Sequence, residues 1–154
     1  MKKYIKAFAT IYIMFLCISY SSAQVYQSSV GIRLGTSLSG SYKLYITERK
    51  AIEAIVGISR VGGNSLLSCG GTYQVHNQIT SNLPSLSWYL GAGGVYRFGN
   101  ENIERDILLT TIIGLEYTFE NAPFNLFIDI SPYATVVTGI DYDVEASLGA
   151  RYIF

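Results

Sequence analysis

Val144-Glu145-Ala146-Ser147-Leu148-Gly149-Ala150-Arg151-Tyr152-Ile153-Phe154 closes the sequence with apolar and polar residues in near-strict alternation. Val144, Ala146, Leu148, Ala150, Tyr152 and Phe154 share one side of an extended chain, and Glu145, Ser147, Gly149 and Arg151 share the other. A period of two residues is that of a β-strand with two unlike faces. The charged side also carries the small residues, which suits a crowded interior better than a wet surface. Aromatic residues gather at the end of the apolar side, where membrane barrels place an interfacial girdle. This stretch therefore predicts a membrane-spanning strand with its apolar side outward.

Seven more segments upstream read the same way. Val30, Ile32 and Leu34 oppose Gly31, Arg33 and Gly35; Tyr42, Leu44 and Ile46 oppose Lys43, Tyr45 and Thr47. Ile52, Ala54, Val56 and Ile58 oppose Glu53, Gly57 and Ser59, with Ile55 out of pattern. Leu67, Cys69, Tyr73 and Val75 oppose Ser68, Gly70, Thr72, Gln74 and His76. Trp88, Leu90, Ala92, Tyr96 and Phe98 oppose Ser87, Tyr89, Gly91, Gly93 and Arg97. Leu109, Ile113, Leu115, Tyr117 and Phe119 oppose Thr110, Gly114, Glu116 and Thr118. Leu126, Ile128 and Ile130 oppose Asn125, Asp129 and Ser131, with Phe127 among the polar set. Segments of about ten residues with this period, separated by turn residues, are the pattern of a transmembrane barrel. A soluble sandwich alternates similarly, but the end-of-strand aromatics and the glycine-rich polar face argue for the membrane form. The expected fold is all-β, an eight-stranded antiparallel up-and-down barrel, the even count letting first and last strands pair.

Turns at Thr47 to Lys50, Asn77 to Ser85 and Glu120 to Pro123 are expected on the periplasmic side, with both termini. Outer loops are expected at Thr36 to Gly40, Arg60 to Ser65, Gly99 to Asp106 and Pro132 to Asp143. The last two carry acidic residues that read as solvated loop.

The other end of the chain predicts export. Lys2, Lys3 and Lys6 precede an apolar run from Ala7 to Ile18, and Ser21-Ser22-Ala23 offers a cleavage site before Gln24. That is a secretory signal peptide over residues 1–23, too short for a spanning helix of roughly 20 apolar residues. Phe15 and Leu16 before Cys17 are too bulky for lipoprotein processing. The barrel domain is then residues 24–154, which is 131 residues once 23 of the 154 are removed. Three of the eleven basic and none of the eleven acidic residues leave with the leader, so the net charge falls to −3. Nothing there favours nucleic acid. Only Cys69 remains, so no internal disulfide is expected.

With the apolar face outward, the inward charges are Arg33, Lys43, Arg97 and Arg151 against Glu53, Glu116, Asp129 and Glu145. An eight-stranded barrel is just wide enough inside for side chains to fill it, so these charges must pair. Strand adjacency predicts Lys43 beside Glu53, Arg151 beside Arg33 or Glu145, and Glu116 beside Arg97 and Asp129. The outcome is an ion-paired, filled interior rather than a channel. His76 is the only histidine, with no serine two residues on, and reads as strand-end polar surface rather than a catalytic base. No metal set and no cofactor are expected.

Several pieces resemble small outer-membrane β-barrel proteins of the Bacteroidetes and, more distantly, enterobacterial outer membrane protein X-type barrels. They are Gly31-Ile32-Arg33-Leu34-Gly35, Tyr42-Lys43-Leu44, Ala51-Ile52-Glu53-Ala54-Ile55, Ser87-Trp88-Tyr89-Leu90-Gly91-Ala92-Gly93, Gly114-Leu115-Glu116-Tyr117 and Gly149-Ala150-Arg151-Tyr152-Ile153-Phe154. The family often carries a basic residue before the proline of its seventh strand; here Asp129-Ile130-Ser131-Pro132 lacks it. The resemblance implies an outer-membrane location and a C-terminal signal, Tyr152 with Phe154, read by the barrel-assembly machinery. It implies contact with outer-membrane lipid and lipopolysaccharide, and little about activity. Three roles remain open: a structural or surface-interaction barrel, which leads, a narrow pore, and a lipid-modifying enzyme.

Overall fold

The computed structural model describes residues 27–61, 63–79, 85–99 and 104–154. The leader expected over residues 1–23 lies outside them. Eight strands follow one another: β1 Ser28–Gly35, β2 Ser37–Thr47, β3 Lys50–Val61, β4 Asn64–Gln78, β5 Leu86–Arg97, β6 Asp106–Thr118, β7 Phe124–Thr135 and β8 Asp141–Ile153. Each pairs antiparallel with the next, and β8 returns to β1, so the sheet is a closed barrel. Among the described residues there is no helix.

The closure is staggered. From Ser29 the ladder runs through Lys43, Glu53, Thr72, Gly93, Thr110 and Tyr133 to Asp143. Yet β1 pairs Ser29 with Ile153, ten residues further along β8. That offset forces the strands to tilt, by about 35–45° in barrels of this class.

Every strand turns its apolar set outward. Ile32, Val56, Leu67, Leu90, Leu109, Ile113, Ile128, Val144 and Leu148 are all at least half exposed. Arg33, Lys43, Glu53, Glu116, Asp129 and Arg151 are each at most 4% exposed. Polar residues inside and aliphatic residues outside invert the usual solution arrangement. On β8 the outward series from Tyr142 to Phe154 spans twelve residue steps, about 40 Å along a strand and about 30 Å across a tilted wall. That matches a bilayer's apolar band with its aromatic margins. At one margin Tyr117 meets Phe119 edge-on, Phe124 meets Tyr152, and Tyr152 stacks on Phe154.

The strands run further than the alternation alone predicts. β2 begins at Ser37, so only Thr36 joins it to β1. β7 continues through Pro132 to Thr135 and β8 starts at Asp141, so the expected outer loop from Pro132 to Asp143 shrinks to residues 136–140. Pro132 lacks an N–H, and the β6–β7 ladder skips from Thr110↔Tyr133 to Ile113↔Ile130 around it. The acidic residues placed in that loop, Asp141 and Asp143, are exposed as expected but belong to β8. Asp141 and Asp143 accept hydrogen bonds from the backbone amides of Tyr142 (2.9 Å) and Val144 (2.7 Å).

Candidate functional site

Three cations and three carboxylates meet in the middle of the lumen. Arg33 donates through Nη2 to both oxygens of Asp129, at 2.7 and 2.9 Å, and through Nη1 to Glu53 at 3.2 Å. Arg151 reaches Glu53 through Nη2 at 2.6 Å and Glu116 through Nη1 at 2.9 Å. Lys43 Nζ donates to Glu116 at 2.9 Å. Neutral donors complete each carboxylate: Gln74 to Glu53 at 2.6 Å, Tyr45 to Glu116 at 2.7 Å and Tyr89 to Asp129 at 2.7 Å. A buried charge is tolerable only when paired and hydrogen-bonded in this way. Three against three leaves the cluster neutral.

The pairing runs across the lumen. Lys43 lies beside Glu53 in the β2–β3 register, as strand adjacency predicts, but its ammonium crosses to Glu116 on β6. Arg151 pairs with neither Arg33 nor Glu145. It lies beside Gly31 and Asn125 in register and reaches β3 and β6. Long side chains on a ring of eight strands meet at the axis, so register neighbours need not be charge partners. Arg97 and Glu145 are not brought into the cluster, and Glu116 does not adjoin Arg97. Both outliers sit toward the strand ends opposite the termini, above the charged layer, and Glu145 accepts a hydrogen bond from Ser37.

Two aromatic residues in this layer had no role assigned from sequence. Phe127, the misfit of β7, packs under Arg151, whose guanidinium carbon lies 3.6 Å from the ring centroid, and Arg33 approaches it at 5.1 Å. Tyr89 lies under Lys43, with Nζ 4.5 Å from its centroid. Cation–π contact of this kind is strongest where water is excluded. The one available signal was an aromatic residue on the charged face of its strand.

Glycines make room for the layer. A Cβ on Gly114 would sit 2.5 Å from Tyr89 Cζ and 2.8 Å from Asp129 Cβ, and one on Gly149 would collide with the Phe127 ring. Gly114→Val is therefore expected to break the Tyr89–Asp129 bond and cost about 1–3 kcal/mol of overpacking, measured as a lowered urea midpoint in lipid vesicles. A midpoint equal to that of the parent would contradict this packing.

His76 is buried, at 4% exposure, rather than strand-end surface. Its ring stacks on Tyr89 and tilts against Tyr45, both at 5.0 Å between centroids, with Tyr45 OH 3.5 Å from Nδ1. Its inward strand position, packed between two inward tyrosines, explains the difference. Beneath the charged layer a vestibule of about 660 Å³ opens at the end that holds the termini, with His76 and Glu116 in its wall. Above the layer, a chamber of about 60 Å³ lies among Arg33, Arg97, Tyr133 and Glu145. The charged layer separates the two. Among the described residues no group of three or more histidine, cysteine or carboxylate side chains is placed to hold a metal.

No protein-family model matches the chain, and no curated protein sequence does. Among solved structures, the N-terminal β-barrel domain of Pseudomonas aeruginosa OprF superposes with a TM-score of 0.62 at 14% identity, over 84% of this chain and 96% of that one. At that identity the likeness concerns the fold: this chain is a closed eight-stranded antiparallel barrel similar to the OprF N-terminal barrel.

Proposed function

We propose that the chain is a small outer-membrane barrel with a closed interior, acting in membrane structure or surface interaction rather than in transport or catalysis. The observation that carries this reading is the neutral six-charge layer across the lumen, bounded by an outward apolar wall. In solution such a wall would be an aggregation surface; in a bilayer it is the lipid contact. Each of the six charges in the layer has partners on other strands, so opening a path requires breaking several buried ion pairs at once, each costly to leave unpaired.

The same reading takes residues 1–23 as a cleaved secretory leader and residues 24–154 as the barrel, of the Bacteroidetes small-barrel kind. Tyr152 and Phe154 serve as the signal to the barrel-assembly machinery, and membrane lipid and lipopolysaccharide surround the wall. Tyr45 links His76 to Glu116, but that carboxylate is already held by Lys43 and Arg151, which favours a structural role over general-base work.

Planar-bilayer recording tests the closed interior. The refolded protein is expected to leave the bilayer current flat at 100 mV (a voltage of the experimenter's choosing, on the order used to drive gating charge). Stable unitary steps that survive in Glu53→Gln would make the lumen a pore and end this reading.

A further inference from the structure

Arg97 is a lumenal cation left outside the charged layer. Among the described residues it forms no ion pair, and its Nε is buried without a hydrogen-bond partner, the Tyr133 hydroxyl being the neutral group its guanidinium meets. Its register partner on β6 is Asp106, but that carboxylate is engaged elsewhere. It accepts from the amides of Ile107 (2.8 Å) and Val137 (3.1 Å) and from the Thr138 hydroxyl, fastening the β7–β8 loop. Glu145, the other nearby acid, accepts from Ser37. The Arg97 guanidinium lies 6.0 Å from the Tyr133 ring centroid, in a chamber of about 60 Å³ also lined by Ser37, whose hydroxyl donates to Glu145, and by Ser59 and Ser68, whose hydroxyls reach backbone carbonyls only at 3.5 and 3.3 Å. An arginine fork beside two hydroxyls that can turn from such long bonds is a phosphate-binding set, and the volume suits a single small group.

The wall beside that chamber is low on one side. β1 ends at Gly35, paired with Ser147, while β8 continues six residues further to Asp141 with no β1 neighbour. Six residues on a tilted strand make a dip of about 15 Å. Two amides of that free stretch are covered by its own side chains, Asp141 accepting from Tyr142 and Asp143 from Val144. An open edge is tolerated at a membrane margin only when its polar groups are satisfied. Beside the dip the outer wall is apolar and exposed, through Leu34, Leu38, Tyr142 and Val144.

We propose that Arg97, with the Ser59 and Ser68 hydroxyls, binds the phosphate of a membrane-lipid headgroup that enters sideways through the dip between β2 and β8. The lipid chains then lie on Leu34, Leu38 and Val144. Glu145 lines the same chamber, and its charge favours a singly charged phosphodiester over a dianion. This inference rests on the membrane-barrel reading above.

Native mass spectrometry of the full chain in detergent tests it, with phosphatidylglycerol, a diacylglycerol and inorganic phosphate as probes. One phosphatidylglycerol is expected to remain bound and diacylglycerol is not. Arg97→Gln is expected to weaken the phospholipid about tenfold, the loss of a charge-assisted bond, and Glu145→Gln to tighten it. Arg97-dependent binding of inorganic phosphate without phospholipid would overturn the sideways lipid entry. Equal phospholipid retention by the parent and Arg97→Gln, both still shifting in gel mobility on heating, would overturn the site and leave the barrel reading intact. A parent chain with no heat shift would instead remove the membrane reading itself.

Discussion

Arg151→Ala is expected to lower stability by about 3–5 kcal/mol, the cost of removing one partner from a buried ion pair, and to be the most damaging single truncation in the lumen. Arg151 is the hub. It bonds Glu53 and Glu116, touches Ser41 Oγ at 3.3 Å and stacks on Phe127. Without it, Glu53 keeps Arg33 and Gln74, and Glu116 keeps Lys43 and Tyr45, but the layer carries one uncompensated negative charge. Arg151→Lys restores the charge without the planar fork or the stacking face, so it should fall between the parent and the alanine variant. Urea unfolding in lipid vesicles measures all three. A cost below about 1 kcal/mol for Arg151→Ala, the range of exposed pairs, would mean that the lumen is hydrated enough to screen its charges.

Leu148→Arg places a charge on the opposite face of the same strand. Leu148 is 57% exposed and lies midway along the outward series of β8. On a lipid-facing wall near the bilayer centre, arginine costs about 2–4 kcal/mol of folding stability. On a water-facing wall the same substitution stays within about 0.5 kcal/mol. The two substitutions, three residues apart in sequence, thus report separately on the inside and the outside. A neutral Leu148→Arg in vesicles would contradict the lipid-facing assignment.

The fold was legible because its signal is periodic and repeated. All eight alternating segments are strands, and the faces assigned to Val144–Phe154 are the faces that segment adopts. Ile55 and Phe127, which break the alternation, stay in register and point inward, since a strand cannot turn one side chain over without a bulge. Strand ends were less legible. Ser37, Ser39 and Ser41 look like loop residues, yet they face the lumen as β2. Pro132 reads as a terminator but lies within β7, where the ladder skips around it.

The charged layer was legible in composition and not in connectivity. Alternation identifies which side chains face inward, and six of the eight charges named from it meet at the axis. Which charge meets which depends on the ten-residue stagger and on side-chain reach, and neither is written in any one strand. The stagger is also what carries Arg97 and Glu145 above the layer. The roles of Gln74, Tyr89 and Phe127 follow only once that layer is assembled.

The most direct test of the account is the gel mobility of the membrane-fraction protein, loaded in detergent with and without boiling. A closed barrel stitched by β1–β8 pairing and a neutral lumenal layer is expected to stay folded until heated, giving a compact band that shifts on boiling. A single unshifted band, with the protein in the soluble fraction, would contradict it: the apolar wall would then need another partner than lipid.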